Sequence, residues 1–177
     1  MAKLSLDERL NQIEKKISDQ SFRSNKGLGN EVVYYIFDYD PREELHVRNH
    51  IQYLKNRINE SSLGFRIIEI DLFHLMIQVL EGEGYLEAFF DLERENGFFD
   101  MADSLVETLG LDETDERNLI ISKIVEQDLT DSVVFLTGVG KCHPVIASHN
   151  ILNNLHQVLD SVPVVMFYPG EYSVQDL

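Results

Sequence analysis

Three aspartates, Asp38, Asp40 and Asp71, fall at or just past the ends of two β-branched, aromatic-rich stretches, Glu31–Tyr39 and Gly64–Leu72. Open parallel sheets bind ligands beyond the carboxyl ends of their strands. Three carboxylates at one such edge could hold a hard cation such as Mg²⁺. Two of them also have a simpler use. Asp40 precedes Pro41 and stands three residues before Glu43, the pattern of a helix N-cap with its reciprocal partner. Asp71 can cap the next helix in the same way. No ligand spacing singles out a metal, and none is expected.

Thr137-Gly138-Val139-Gly140-Lys141-Cys142 has the look of a phosphate loop. A working P-loop reads G-x-x-x-x-G-K-[ST], because a wrapped backbone cradles the phosphates and the hydroxyl ligates Mg²⁺. Here Phe135 stands in the first glycine's place, Cys142 replaces the hydroxyl, and Pro144 follows too soon for the wrap. At the end of the first strand, Asp40, Glu43 and Glu44 crowd a helix start and disfavour an incoming phosphate. His46 and His50 are four apart on one helix, but H-V-R-N-H lacks the glutamate of H-E-x-x-H and has no evident third ligand, so a surface pair is the plainer reading. Cys142 and His143 are chain neighbours, whose side chains seldom face each other as nucleophile and base must. No catalytic motif is intact, and the chain is read as a non-enzyme without a cofactor.

The elements that would position these groups alternate. Leu6, Leu10, Ile13 and Ile17 predict a helix over 5–19, and Ser24–Asn30 a turn. Glu31–Tyr39 predicts a strand covered on both faces. A helix follows to about Asn59, with Val47, Ile51, Leu54 and Ile58 inward. Gly64–Leu72 is a second strand. From Phe73 to Asp128 the pattern is helical in three or four pieces, broken at Gly82–Gly84, Gly97 and Gly110. That is far more than one crossover needs. Ser132–Thr137 is a third strand, Gly138–Pro144 a loop, Val145–Leu159 a helix, and Val162–Tyr168 a fourth strand. This alternation predicts one α/β domain over residues 1–177: an open, mostly parallel sheet of about four strands, Rossmann-like or P-loop-like. Segment 73–128 would be an acidic helical insertion within it. The strand order is not readable.

Charge narrows the function. The chain has 177 residues and a net charge of −16. That charge repels phosphate backbones and anionic membrane surfaces. DNA binding would need a local patch built from Lys15, Lys16, Arg23 and Lys26. A single cysteine excludes an internal disulfide. Without an apolar leader the protein is expected in the cytoplasm. Residues 81–116 hold 13 acidic side chains and one basic one, Arg94, with Phe89, Phe90, Phe98 and Phe99 interleaved. The plain reading is a solvated helical surface with its aromatics turned into the core. The sharper reading is a docking face for a basic partner, with Glu87, Phe90, Asp91 and Glu95 in contact. A second candidate interface is the strand-end edge with Asp38, Asp40, Lys141, His143 and Glu171.

Four stretches together carry a resemblance. They are Gly27-Leu28-Gly29-Asn30-Glu31, Phe37-Asp38-Tyr39-Asp40-Pro41, Leu136–Gly140 running on to His149–Leu155, and Pro163–Tyr172 with its Phe167-Tyr168-Pro169-Gly170-Glu171-Tyr172. In order and spacing they resemble the BrxB family of bacterial BREX (bacteriophage exclusion) defence systems, over nearly the whole chain. The resemblance implies a role in phage defence beside a DNA methyltransferase, a large ATPase and PglZ, an alkaline-phosphatase-like protein. It implies a P-loop-like or Rossmann-like domain without an intact nucleotide motif, acting as an assembly subunit with PglZ as partner. Two positions depart from the family pattern. Ala147 stands where an arginine often precedes Ser-His. The tail reads Ser173-Val174-Gln175-Asp176-Leu177 instead of continuing through glycine to Leu-x-Leu-Phe, as a shortened chain would. Structurally, Gly138, Gly140 and Gly170 suit turns, and Asn153 and Asn154 can cap or bridge backbone.

The expected function is therefore a non-catalytic interaction subunit of a BREX complex. The alternative is a degenerate nucleotide- or metal-binding domain acting as a sensor or weak hydrolase.

Overall fold

A computed structural model describes residues 4–24, 34–159 and 161–172, apart from the side chain of residue 149. The motif at Gly27–Glu31, Lys26, the predicted start of the first strand and the tail after Tyr172 lie outside the described residues. The chain divides into two compact units. Among the described residues, one comprises 4–24, 34–69, 129–136 and 161–172, and the other 70–128 and 137–159.

The first unit opens with α1 (Leu6–Ser18). Ser5 and Glu8 close a capping box at its start, with the Glu8 amide 3.3 Å from Ser5 Oγ and the Ser5 amide 2.8 Å from Glu8 Oε2. Two orphan donors are thereby satisfied. Leu10, Ile13 and Ile17 form its buried stripe, as their spacing predicts. A short helix, α2 (Gln20–Arg23), leads toward β1 (Tyr34–Tyr39). Asp40 does cap the next helical segment, but the first turn of that segment, Pro41–Glu43, is a 3₁₀ turn that then passes into α3 (Glu44–Asn59). Val47, Ile51, Leu54 and Ile58 are its buried face.

β2 (Arg66–Asp71) is followed by four helices: α4 (Leu72–Gly82), α5 (Leu86–Asn96), α6 (Phe98–Leu109) and α7 (Leu119–Val125). The breaks fall at the predicted glycines. Gly97 and Gly110 have φ of 90° and 61°, a region that favours glycine. β3 (Ser132–Thr137) comes next. The segment predicted as a loop contains a helical turn, α8 (Val139–Cys142), because the positive φ of Gly138 redirects the chain at the strand end. α9 (Ser148–Val158) and β4 (Val164–Pro169) complete the order.

The four strands form one open, all-parallel sheet in the order β1-β4-β3-β2. Tyr34 lies opposite Val164 and Tyr39 opposite Pro169, while Val134 pairs with Val164 from the other side. The fold is α/β, as the alternation predicts. The interior strand β3 is buried at all six positions. β1 differs from the prediction of a doubly covered strand. It is an edge, with Phe37 and Tyr39 buried and Tyr34, Ile36 and Asp38 only half-buried. In the first unit Phe37, Phe135 and Phe167 pack ring to ring at 5.8 and 5.1 Å, under the apolar faces of α1 and α3.

Candidate functional site

An opening of the first unit lies outside the carboxyl ends of β1 and β4, where an open sheet offers a crevice. It encloses about 750 Å³ and is lined by Arg9, Tyr35, Asp38, Asp40, Arg42 and Glu171 among others. The Gly170 amide donates to the Tyr39 carbonyl at 2.8 Å and fixes the two strand ends together. Arg9 reaches in from α1. Its Nη2 donates to both the carbonyl and Oδ1 of Asp38, each at 2.6 Å, and its guanidinium lies 4.7 Å from the centre of the Phe37 ring. Asp40 takes the Arg42 side chain and the Arg42 amide. Those hydrogen bonds, side chain first, hold its carboxyl down to about 2. Of the predicted strand-end residues, Asp38, Asp40 and Glu171 are thus brought into one cavity. Arg9, Tyr35 and Arg42 were not predicted for it.

The second unit holds the loop that resembles a phosphate site. Lys141 Nζ lies 2.6 Å from Asp71 Oδ2, and Asp71 Oδ1 accepts the His74 amide at 3.0 Å, capping α4. Burial raises the Asp71 pKa, but the hydrogen bonds from Lys141 and His74 and the lysine's charge outweigh it, so its carboxyl sits below the ordinary range. The three strand-end aspartates therefore each hold a cation of this chain: Asp38 has Arg9, Asp40 has Arg42 and Asp71 has Lys141. β1 and β2 are opposite edges of the sheet. Cys142 is buried, and its thiol is pushed up to about 12 by that burial and then by the Asp71 charge. It is a packed side chain, not a thiolate. His143 is exposed just after α8. Gly140 lies inside α8 without a positive φ, whereas Gly138 and Gly170 have φ of 72° and 136°.

The acidic segment departs from its plain reading. Phe89 is half-buried, but Phe90, Phe98 and Phe99 are not turned into the core. Phe99 is 78% exposed, and Phe90, Phe98 and Tyr85 are 45%, 41% and 43% exposed. The reason is local. α6 buries Met101, Ala102, Leu105 and Leu109, while α5, packed on α6, buries no residue. Glu87, Asp91 and Glu95 are exposed along α5. Arg94, the segment's one cation, pairs with Asp91.

The remaining candidates are engaged elsewhere. His46 Nε2 pairs with Asp7 Oδ1 at 2.7 Å, and His50 is half-buried against the Tyr53 ring at 5.8 Å. Among the described residues no three His, Cys, Asp or Glu side chains stand together as a metal site. Of the proposed basic patch, Lys16 lies over the Tyr35 ring at 4.0 Å and Arg23 over Phe65 at 4.3 Å. Among the described residues no helix is long and apolar enough to cross a membrane. Asn154 does bridge backbone, donating to the Glu113 carbonyl at 3.2 Å, whereas Asn153 is exposed.

Comparison with known proteins places the chain. The family model described as BREX protein BrxB matches residues 68–177. A BREX protein BrxB from Bacillus cereus (strain H3081.97) is 47% identical over 173 residues, covering 97% of this chain and 88% of the relative. A BREX protein BrxB from Escherichia coli O9:H4 (strain HS) is 31% identical over 172 residues, covering 97% of this chain and 82% of the relative. No solved structure matches. With a family model over more than half its length and relatives over nearly all of it, the chain belongs to the BrxB family of BREX proteins.

Proposed function

We propose that this protein is a non-catalytic assembly subunit of a bacterial BREX phage-defence system, that it works in the cytoplasm through protein contacts, and that a PglZ-like protein is its direct partner. The observation that carries the non-catalytic reading is the Lys141–Asp71 pair at 2.6 Å. The lysine that a phosphate loop would offer to nucleotide is neutralised by a carboxylate of its own unit. The assembly reading draws support from family membership and from the exposed phenylalanines of α5 and α6, which a solitary domain has little use for. The test is size-exclusion co-migration of the purified chain with the PglZ-like protein of the same defence cluster, at low and moderate salt. A joint peak is expected. Separate peaks at both salts would overturn this choice of partner.

One observation favours a second reading. The crevice beyond β1 and β4 is of ligand size and sits where open parallel sheets take ligands. Thermal shift with ATP, GTP and Mg²⁺ tests it, since a ligand of the folded state alone must stabilise that state. No shift at millimolar ligand eliminates the nucleotide or metal role.

A further inference from the structure

Four exposed aromatic rings, Tyr85, Phe90, Phe98 and Phe99, fall on one stretch of chain leading into α5 and out into α6. Phe98 and Phe99 meet edge to face at 5.6 Å, so these two rings form a local cluster at the start of α6 rather than isolated tips. The cluster is set among carboxylates, and the only cation of residues 81–116, Arg94, is taken by Asp91. Glu87, Asp91 and Glu95 recur every four residues and so share one face of α5.

We infer that α5 and the first turn of α6 form a docking surface for a basic, arginine-bearing protein surface. The inference rests on the assembly-subunit reading and names the surface that performs it. Rings and carboxylates side by side suit a guanidinium in particular. Its planar fork pairs with a carboxylate while its face lies on an aromatic ring. The chain builds that arrangement internally, where Arg9 donates to Asp38 at 2.6 Å and lies 4.7 Å from the Phe37 ring centre. On α5 Arg94 is held by Asp91, while Glu87, Glu95 and the exposed rings are left for an arginine that a partner supplies. The excess of negative charge excludes two other occupants. A second copy of the chain would set two acidic faces together, and like charges across an interface cost several kcal/mol. A polyanion is repelled outright.

The experiment uses the whole co-expressed defence complex. The photo-crosslinking amino acid p-benzoylphenylalanine replaces Phe99, and in a parallel preparation Glu171. The expected result is a cross-link from position 99 into a lysine- or arginine-rich surface of another subunit. At least a tenfold fall in affinity is expected for Phe90→Ser with Phe99→Ser, and that fall together with loss of the cross-link for the triple reversal Glu87→Lys, Asp91→Lys, Glu95→Lys. The reversal, but not the serine pair, should also flatten the salt dependence of binding. A cross-link from position 99 to a subunit other than the PglZ-like protein keeps this surface and overturns that partner. A cross-link only from position 171, a cross-link to a second copy, or unchanged affinity in both variants overturns the surface whatever the partner.

Discussion

Lys141 Nζ and Asp71 Oδ2 meet at 2.6 Å across seventy residues of chain, and Gly138 is the residue that lets them. A Cβ on Gly138 would stand 2.2 Å from Asp71 Oδ1 and 2.8 Å from its carboxyl carbon. Asp71 cannot simply swing aside. One oxygen caps α4 and the other holds the lysine. The glycine is thus required twice, for its φ of 72° and for the space its missing side chain leaves.

Gly138→Ala is therefore expected to cost about 2 kcal/mol or more, from left-handed strain and steric overlap together. Urea denaturation measures it. Part of the cost belongs to the carboxylate. In an Asp71→Ser background, which keeps a capping oxygen, the same alanine should cost less by more than 0.5 kcal/mol, roughly the coupling expected of groups in contact. Costs that merely add would mean that the overlap is relieved by backbone movement.

Asn118 and Asn154 converge on one carbonyl with unequal duties. Asn118 is 1% exposed and donates to the Leu111 and Glu113 carbonyls at 3.4 and 3.2 Å, while its Oδ1 accepts the Ile121 amide at 3.1 Å and caps α7. Asn154 gives the Glu113 carbonyl one bond, at 3.2 Å. Asn118→Ala removes a cap and strands the buried Leu111 carbonyl and Ile121 amide, for about 2–4 kcal/mol in all. Asn118→Ser should recover about 1 kcal/mol of that by restoring the cap alone. Asn154→Ala should cost only about 1 kcal/mol, because the carbonyl keeps its other donor. Equal losses in thermal or urea melts would contradict this division of roles.

These cases mark how far the sequence could be read. The Asp40 and Asp71 caps, the four helices between β2 and β3, and the strand Ser132–Thr137 each carry a signal within a few residues. A cap residue precedes its helix, a glycine breaks a period, or a short unbroken apolar, β-branched run marks a buried strand. Lys141–Asp71 and Arg9–Asp38 join residues 70 and 29 apart, and no local pattern announces either. The strand order was hidden for the same reason, since the first and last strands pair side by side. The aromatics of the acidic segment misled because phenylalanine at helical spacing ordinarily means core. Only packing shows that α6 alone supplies the buried side of the pair.

His50 sets a pH dependence of defined sign. Burial holds its pKa below the ordinary 6.5, against the opposing pull of a hydrogen bond to the Leu10 backbone and of Asp7 and Glu14, while His46 adds to the lowering. The unfolded chain then binds the proton at higher pH than the folded one. Stability therefore falls as pH drops below 6.5 and levels off beneath the folded-state value. Melting temperatures taken from about pH 7.5 down to about pH 5 should show this slope in the wild type. His50→Gln should flatten it and His46→Gln should keep most of it. A slope that survives in His50→Gln would assign the effect to another group.

Phe99 and Leu109 belong to the same helix and should respond in opposite ways to truncation. Leu109 is 0% exposed and Phe99 is 78% exposed. Leu109→Ala leaves a cavity in the packed side of α6 and should cost about 2–5 kcal/mol. Phe99→Ser removes a ring already in water, which meets the Phe98 edge at 5.6 Å. Its stability should stay within about 0.5 kcal/mol of the wild type. Side-by-side urea titrations with circular dichroism decide the matter. If Phe99→Ser destabilises as Leu109→Ala does, the ring serves the fold and α5 loses its claim as a docking face. If only Leu109→Ala does, any loss of binding in Phe99→Ser reports on the surface itself.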